Sequence, residues 1–197
     1  MWPKIPAGLR TFLNKYGFWL FAAAMILFFR FGNPSKVVLA TGLLNINPEA
    51  SFDGQLFDYG FQVQAINGTP LPLESLRGKV VFLNLWATWC GPCRAEMPAI
   101  QKLYEQTDTS QVAFVMLSVD KAADLYKVRK YVSDNGYTFP VYTRLGAVPE
   151  MLRVPSIPTT FVIGRDGSVV MKKVGTTNYN TGRFRKFLAK QSASDAR

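Results

Sequence analysis

The chain has 197 residues, 48% of them hydrophobic and 18% charged, with a formal net charge of +10, two cysteines and no histidine. That apolar content argues against a disordered chain, and the lack of a repeat at a period of roughly 20–50 residues argues against a solenoid. The length suits one domain of roughly 140 residues with an additional segment.

The additional segment leads the chain. Residues 16–29, "YGFWLFAAAMILFF", are apolar and uncharged, with Lys4, Arg10 and Lys15 before them and Arg30 and Lys36 after. The run is shorter than the roughly 20 residues that span a bilayer. A helix over 11–31 is long enough, with the stems of Lys15 and Arg30 reaching the headgroups and Tyr16 and Trp19 at the interface. The alternative is a cleaved signal peptide. The run, however, ends in the bulky, charged "FFRFGNPSK", and the first small-x-small site is Ala40 to Gly42. The basic flank sets the N-terminus inside the cell and the rest of the chain outside the cytoplasmic membrane. Residues 1–31 are thus read as a cytoplasmic flank and transmembrane anchor, 32–55 as a linker, and 56–197 as a globular domain. Within the linker, "GNP" at 32–34 breaks the first helix, and "VVLATGLLNI" at 37–46 is too short to span.

From Gly60 the pattern is α/β. "FQVQAI" (61–66) alternates like a half-buried strand and "NGTPL" (67–71) turns it back. "VVFLNLWA" (80–87) is a nearly continuous apolar run, as in a buried central strand. A helix follows over about 91–106, with Pro92 in its first turn and Pro98 expected to kink it. "VAFVMLSV" (112–119) is a second buried strand. Residues 121–134 have helical spacing and close at Asn135-Gly136, and "FPVYT" (139–143) is a short extended piece. "TTFVIG" (159–164), "RDG" and "SVVMKKV" (168–174) form a hairpin, and "TGRFRKFLAKQ" (181–191) a closing amphipathic helix. This order predicts a mixed sheet with helices on both faces. The basic residues Lys172, Lys173, Arg183, Arg185 and Lys186 read as a solvated surface, with an acidic partner or anionic lipid as the alternative. Nucleic acid is not an expected partner for an exported domain.

The chemistry concentrates in "WATWCGPCRAEMP", residues 86–98, which holds both cysteines. Cys90 stands where a strand ends and a helix begins. Unpaired N–H groups and the helix dipole there favour a thiolate. Two intervening residues allow Cys90 and Cys93 to share one bond, and Gly91 and Pro92 leave the sulfur open. Such a pair can cycle between dithiol and disulfide. A purely structural disulfide remains an alternative, although it usually closes a longer loop. A zinc site lacks two further ligands, and a c-type haem site lacks the histidine that Arg94 replaces. No metal or organic cofactor is expected.

"FLNLWATWCGPCRAEMP", with "NGTPLPLESLRGKVVFLNLWATWC" before it and "VPSIPTTFVIGRDGSVV" near the end, resembles the thioredoxin superfamily. It is most similar to its membrane-anchored TlpA/ResA-like thiol–disulfide oxidoreductases, over roughly residues 60–190. The resemblance implies a thioredoxin-like fold, with a central mixed sheet flanked by helices behind an N-terminal transmembrane helix. It implies that Cys90 is the exposed attacking thiolate and Cys93 the buried resolving thiol. Pro158 becomes a cis-proline facing the disulfide, Ile157 the backbone that pairs with a substrate chain, and Trp89 a side chain packed beside the site. Ordinary thioredoxins keep a buried aspartate six positions before the first cysteine, and here that position is Asn84. Members of the TlpA/ResA-like group can instead carry a glutamate three residues after the second cysteine, where Glu96 stands; Glu96 is then the acid/base candidate. Glu96→Gln is expected to alter the pH dependence of the two thiols, and Asn84→Ala not to reproduce that change, because an amide does not ionise.

The resemblance implies reduction of disulfide-containing protein substrates outside the cytoplasm, with recharging by a transmembrane electron donor and apocytochrome c among the candidate substrates. Two other classes compete. A peroxiredoxin places a threonine three residues before its cysteine, where this chain has Ala87 with Thr88 one residue off. A membrane-tethered binding module would use the same fold without catalysis.

Overall fold

The computed structural model describes residues 54–194. The expected membrane span, the apolar patch at 37–46 and nearly all of the linker lie outside the described residues. Among the described residues, no helix is long and apolar enough to cross a membrane.

The elements run β1 (Gln62–Ala65), β2 (Pro70–Pro72), β3 (Val80–Trp86), α1 (Gly91–Glu105), β4 (Val112–Ser118), α2 (Leu125–Asp134), β5 (Val141–Leu145), β6 (Thr159–Ile163), β7 (Val169–Val174) and α3 (Gly182–Ala193). They build one seven-stranded mixed sheet in the order β2-β1-β5-β4-β3-β6-β7. β3 runs parallel to β4 and antiparallel to β6, so it lies inside the sheet. All seven of its residues are buried, which is why its sequence shows a run and not an alternation. The edges are protected by sequence: β2 carries Pro70 and Pro72, which cannot donate to a further strand, and β7 carries Lys172 and Lys173.

Local chemistry sets the boundaries. Gly167 takes φ +84° in the turn between β6 and β7, and a Cβ there would meet the Tyr59 ring at 3.4 Å. β5 starts two residues later than the expected extended piece. Pro140 has no N–H for the ladder, although its carbonyl accepts from Met116 N at 3.3 Å. α2 begins after one 3-10 turn over Ala122–Asp124 and closes at Asn135 and Gly136, as the sequence indicates. Pro98 lies inside α1 without ending it.

One expectation about layering is corrected. Helices do not cover both faces of the sheet. Met97, Ile100 and Leu103 of α1, Val128 of α2 and Phe184 and Leu188 of α3 all join one core, against Val80, Phe82 and Trp86 of β3. The opposite face, carrying Val81, Leu83 and Leu85, is closed by Phe57, Tyr59 and Phe61, by Leu73 and by Leu152. Leu73 and Leu152 lie in short 3-10 turns. The reason is topological: α1 and α2 each join parallel neighbouring strands, while 146–158, between antiparallel-linked β5 and β6, contains only one such turn.

Candidate active site

β3 ends at Trp86 and hands the chain to a short turn, Ala87 to Trp89, before α1 starts. Asp120 holds that turn. Its carboxylate accepts from the Thr88 backbone N–H at 2.9 Å, the Thr88 hydroxyl at 2.6 Å and the Ser118 hydroxyl at 2.8 Å. The first residues after β3 and β4 are thus locked together at the carboxyl ends of two parallel strands. Sequence reasoning missed Asp120. Its signal is a carboxylate two residues past the end of a buried parallel strand, beside the motif-bearing turn.

Cys90 is the N-cap of α1, and its sulfur accepts from Cys93 N at 3.2 Å. The two cysteines form a disulfide with a Cα separation of 5.3 Å. Pro92 occupies the first turn of α1, and Gly91 and Pro92 both lie exposed at its tip. The Ile157–Pro158 bond is cis, as the resemblance implies. Its loop lies over the disulfide, with the Ile157 carbonyl oxygen 3.7 Å from Cys90 Sγ. A third segment follows β7: Gly175 N donates to Pro158 O at 2.8 Å, the Thr176 hydroxyl to Pro92 O at 3.3 Å, and Thr177 N to Glu96 Oε2 at 3.2 Å. Cis-proline loop, helix tip and buried carboxylate are therefore tied into one unit.

Glu96 shares a helix face with Cys93, and both are fully buried. Asn84 Nδ2 donates to Glu96 Oε1 at 2.8 Å and to Thr160 Oγ1 at 2.9 Å. Burial pushes the Glu96 carboxyl up to about 8, against the hydrogen bonds from Asn84 and Thr177, which favour the carboxylate. A carboxyl group held neutral until near neutral pH can exchange a proton with a neighbouring thiol. Tyr179 is buried nearby, and burial together with the Glu96 charge raises its phenol well above the usual range. Thr160, Thr177 and Tyr179 were not legible as site residues: each sits more than sixty positions from Glu96, and only Thr160, two residues after Pro158, lies in a segment that carries the resemblance.

Two expectations change. Trp89 is not packed into the site; it is 70% exposed, next to Thr88, which Asp120 holds. Cys90 is 6% exposed and not openly accessible, since the turn before α1 and the Ile157 loop cover most of it. Asn84, which does not itself ionise, still bears on the Glu96 carboxyl. As a donor to Glu96 it stabilises the carboxylate, so its removal must raise the Glu96 pKa.

The site can now be compared with known proteins. The sequence model of the AhpC/TSA family matches residues 58–172. The chain belongs to the AhpC/TSA family. Among its curated relatives, this family member is 37% identical over 116 residues to the thiol-disulfide oxidoreductase ResA of Bacillus thuringiensis, covering 58% of this chain and 66% of that protein. It is 34% identical to the thioredoxin-like protein YneN of Bacillus subtilis, covering 59% of this chain and 68% of YneN. The chain thus spans just under two thirds of the length of the ResA relative. A solved thiol:disulfide interchange protein of the thioredoxin family, from Chlorobium tepidum, is 30% identical with a TM-score of 0.54, covering 65% of this chain and 92% of that one. A thioredoxin-like fold with a mixed sheet is thereby established for the chain.

Proposed function

We propose that this family member is a thiol–disulfide oxidoreductase that reduces disulfides in protein substrates. The observation that carries the reading is the Cys90–Cys93 disulfide at the N-terminus of α1, beneath the cis-Pro158 loop and above buried Glu96. The names of the ResA relative and of the Chlorobium protein support it. In the reduced protein, the Cys90 thiolate attacks one sulfur of the substrate disulfide. A Cys90–substrate bond forms, and the substrate's other sulfur leaves with the bonding electron pair and takes up a proton. Cys93 passes its proton to Glu96 and attacks Cys90 Sγ, and the first substrate sulfur leaves as a thiolate. Two electrons move to the substrate, and a dithiol donor must then reduce the Cys90–Cys93 disulfide. Gly91 and Pro92 between the cysteines match those of reducing thioredoxins, and that resemblance supports the reducing direction. Reduction of the haem-attachment cysteines of apocytochrome c is the task we assign to it.

Peroxide reduction is the second reading, because peroxiredoxins share this fold. It needs a threonine hydroxyl facing the cysteine; the Thr88 hydroxyl is instead engaged by Asp120. Insulin reduction with dithiothreitol separates the readings. Acceleration by the chain, with no consumption of hydrogen peroxide, is expected. Peroxide consumption without insulin reduction would establish the peroxidase, and neither activity the binding module.

The reading includes attachment to the cytoplasmic membrane by residues 11–31, with the N-terminus inside, the catalytic domain outside and the donor a membrane protein. Its support is the apolar run bracketed by Lys15 and Arg30. The full chain is expected to stay with membranes through an alkaline carbonate wash. After reduction, its thiols should react with an impermeant reagent added from the outer side. Recovery of a shortened soluble protein would show a cleaved signal instead.

A further inference from the structure

The sheet face that lacks an α-helix leaves a groove of about 530 Å³ between the ends of β3, β4 and β5 and the covering segment 146–157. Leu85, Leu117 and Leu152 give it an apolar wall, Arg144 and Arg153 stand at its rim, and Ile157 closes one end. None of its lining residues is acidic. Arg153 pairs with Glu150 at 2.9 Å, and the side chains of both are largely exposed. Arg144 is exposed at β5, and among the described residues no carboxylate pairs with its guanidinium.

Ile157 joins this groove to the chemistry. The same residue lines the groove and holds its carbonyl 3.7 Å from Cys90 Sγ. A polypeptide captured at Cys90 that runs past this residue reaches the groove, which Ile157 also lines. The wall fits an aliphatic side chain, since it offers apolar surface and no carboxylate. The rim fits an anion, because an unpaired arginine beside apolar walls gains more from a carboxylate than the same pair gains in open water.

We propose that the groove is the specificity subsite of the exchange reaction. It receives the stretch flanking the substrate cysteine, as an aliphatic residue followed within a few positions by an aspartate or glutamate that Arg144 pairs. This rests on the oxidoreductase reading and names the substrate sequence it selects. Ile157 acts as the threshold between sulfur and groove, and Arg144 as the residue that sets the preferred charge.

The test uses the full chain carrying Cys93→Ser, which stops at the mixed disulfide. Its probes are single-cysteine peptides capped as the neutral 2-mercaptoethanol disulfide. They differ only in Leu-Glu, Leu-Gln or Leu-Lys on either flank of the cysteine. Hydroxyethyl disulfide, uncharged and too short to reach from Cys90 into the groove, reports the intrinsic reactivity of Cys90. At low ionic strength the Leu-Glu peptide should form mixed disulfide about three- to tenfold faster than the Leu-Lys peptide, the range expected for a partly desolvated ion pair. Arg144→Gln should remove that preference and Arg144→Glu invert it, while both keep the hydroxyethyl disulfide rate. Lys190→Gln, which removes the same charge from exposed α3, should keep the preference. Unchanged selectivity in both Arg144 variants, with hydroxyethyl disulfide still attacked, would overturn the subsite and leave the exchange reaction standing. Equal selectivity loss in Lys190→Gln would also overturn it, assigning the preference to net charge. Failure of the parent protein to attack hydroxyethyl disulfide would strike the oxidoreductase reading instead.

Discussion

Cys90→Ser is expected to bring insulin reduction down to the uncatalysed rate and to trap no substrate, whereas Cys93→Ser should accumulate mixed disulfides after the first attack. The asymmetry follows from placement. Cys90 caps α1, so the free N–H groups of the first turn stabilise its thiolate, and its sulfur lies under the loop a substrate must approach. Cys93 has no exposed surface, and burial disfavours its thiolate. A hydroxyl in place of Cys90 cannot attack a disulfide at neutral pH. A hydroxyl in place of Cys93 leaves the first step intact and removes the second. In the reduced wild type, Cys90 should be alkylated at least about tenfold faster than Cys93 at pH 7, a ratio set by thiolate fraction and access. Mass spectrometry of timed samples reads both sites. Equal trapping by the two variants would remove the distinction between attacking and resolving thiol. The 6% exposure of Cys90 does not oppose this, since attack needs only an approach in line with the disulfide bond.

The parts of this site that were legible in the sequence are those held by local geometry. The strand-turn-helix signal places Cys90 at an N-cap without reference to the rest of the chain, and a spacing of three puts Cys93 and Glu96 on one face. The buried strand β3 was legible because seven consecutive positions are enclosed on both sides. What was hidden depends on distant segments. Trp89 reads as a packing residue by its type, yet it is exposed, and the turn that carries it is held at Thr88 by Asp120, more than thirty positions on. Thr177 reaches Glu96 through a backbone N–H, which leaves no mark on residue identity. The face without an α-helix was missed because amphipathic spacing shows that a helix has a buried side, not which side of the sheet receives it. Asn84 shows a further limit: comparing residue types position by position marks it as the loss of an acceptor, whereas its role here is that of a donor.

Glu96→Gln should separate proton transfer from structure through the direction of its pH dependence. The wild-type carboxyl moves from an ordinary 4.5 to about 8 on folding, chiefly by burial. Below 4.5 it is protonated in both states. Between these values the unfolded chain loses a proton that the folded chain retains, so stability falls as pH rises, by several kcal/mol in all, and levels off above about 8. Glutamine has no such loss. It does carry a cost at every pH, since its amide faces Asn84 Nδ2 or Thr177 N, two donors. Asn84 Oδ1, which accepts nothing among the described residues, can relieve part of that cost by turning toward the new amide. The melting temperature of oxidised Glu96→Gln, relative to wild type, should therefore rise from pH 5 and level off above about pH 8. Kinetics should move with it. Resolution of the mixed disulfide needs a base for Cys93, so the variant should resolve roughly 10²-fold more slowly at neutral pH, the usual worth of a positioned acid/base group. The wild-type limb near pH 8 should vanish from its stopped-flow profile. Asn84→Ala should instead keep the limb and displace it upward, because it removes a donor that favours the carboxylate. Superimposable profiles for wild type and Glu96→Gln would confine Glu96 to holding Asn84 and Thr177 in place, and Cys93 would then have to lose its proton to solvent admitted when the Ile157 loop moves aside.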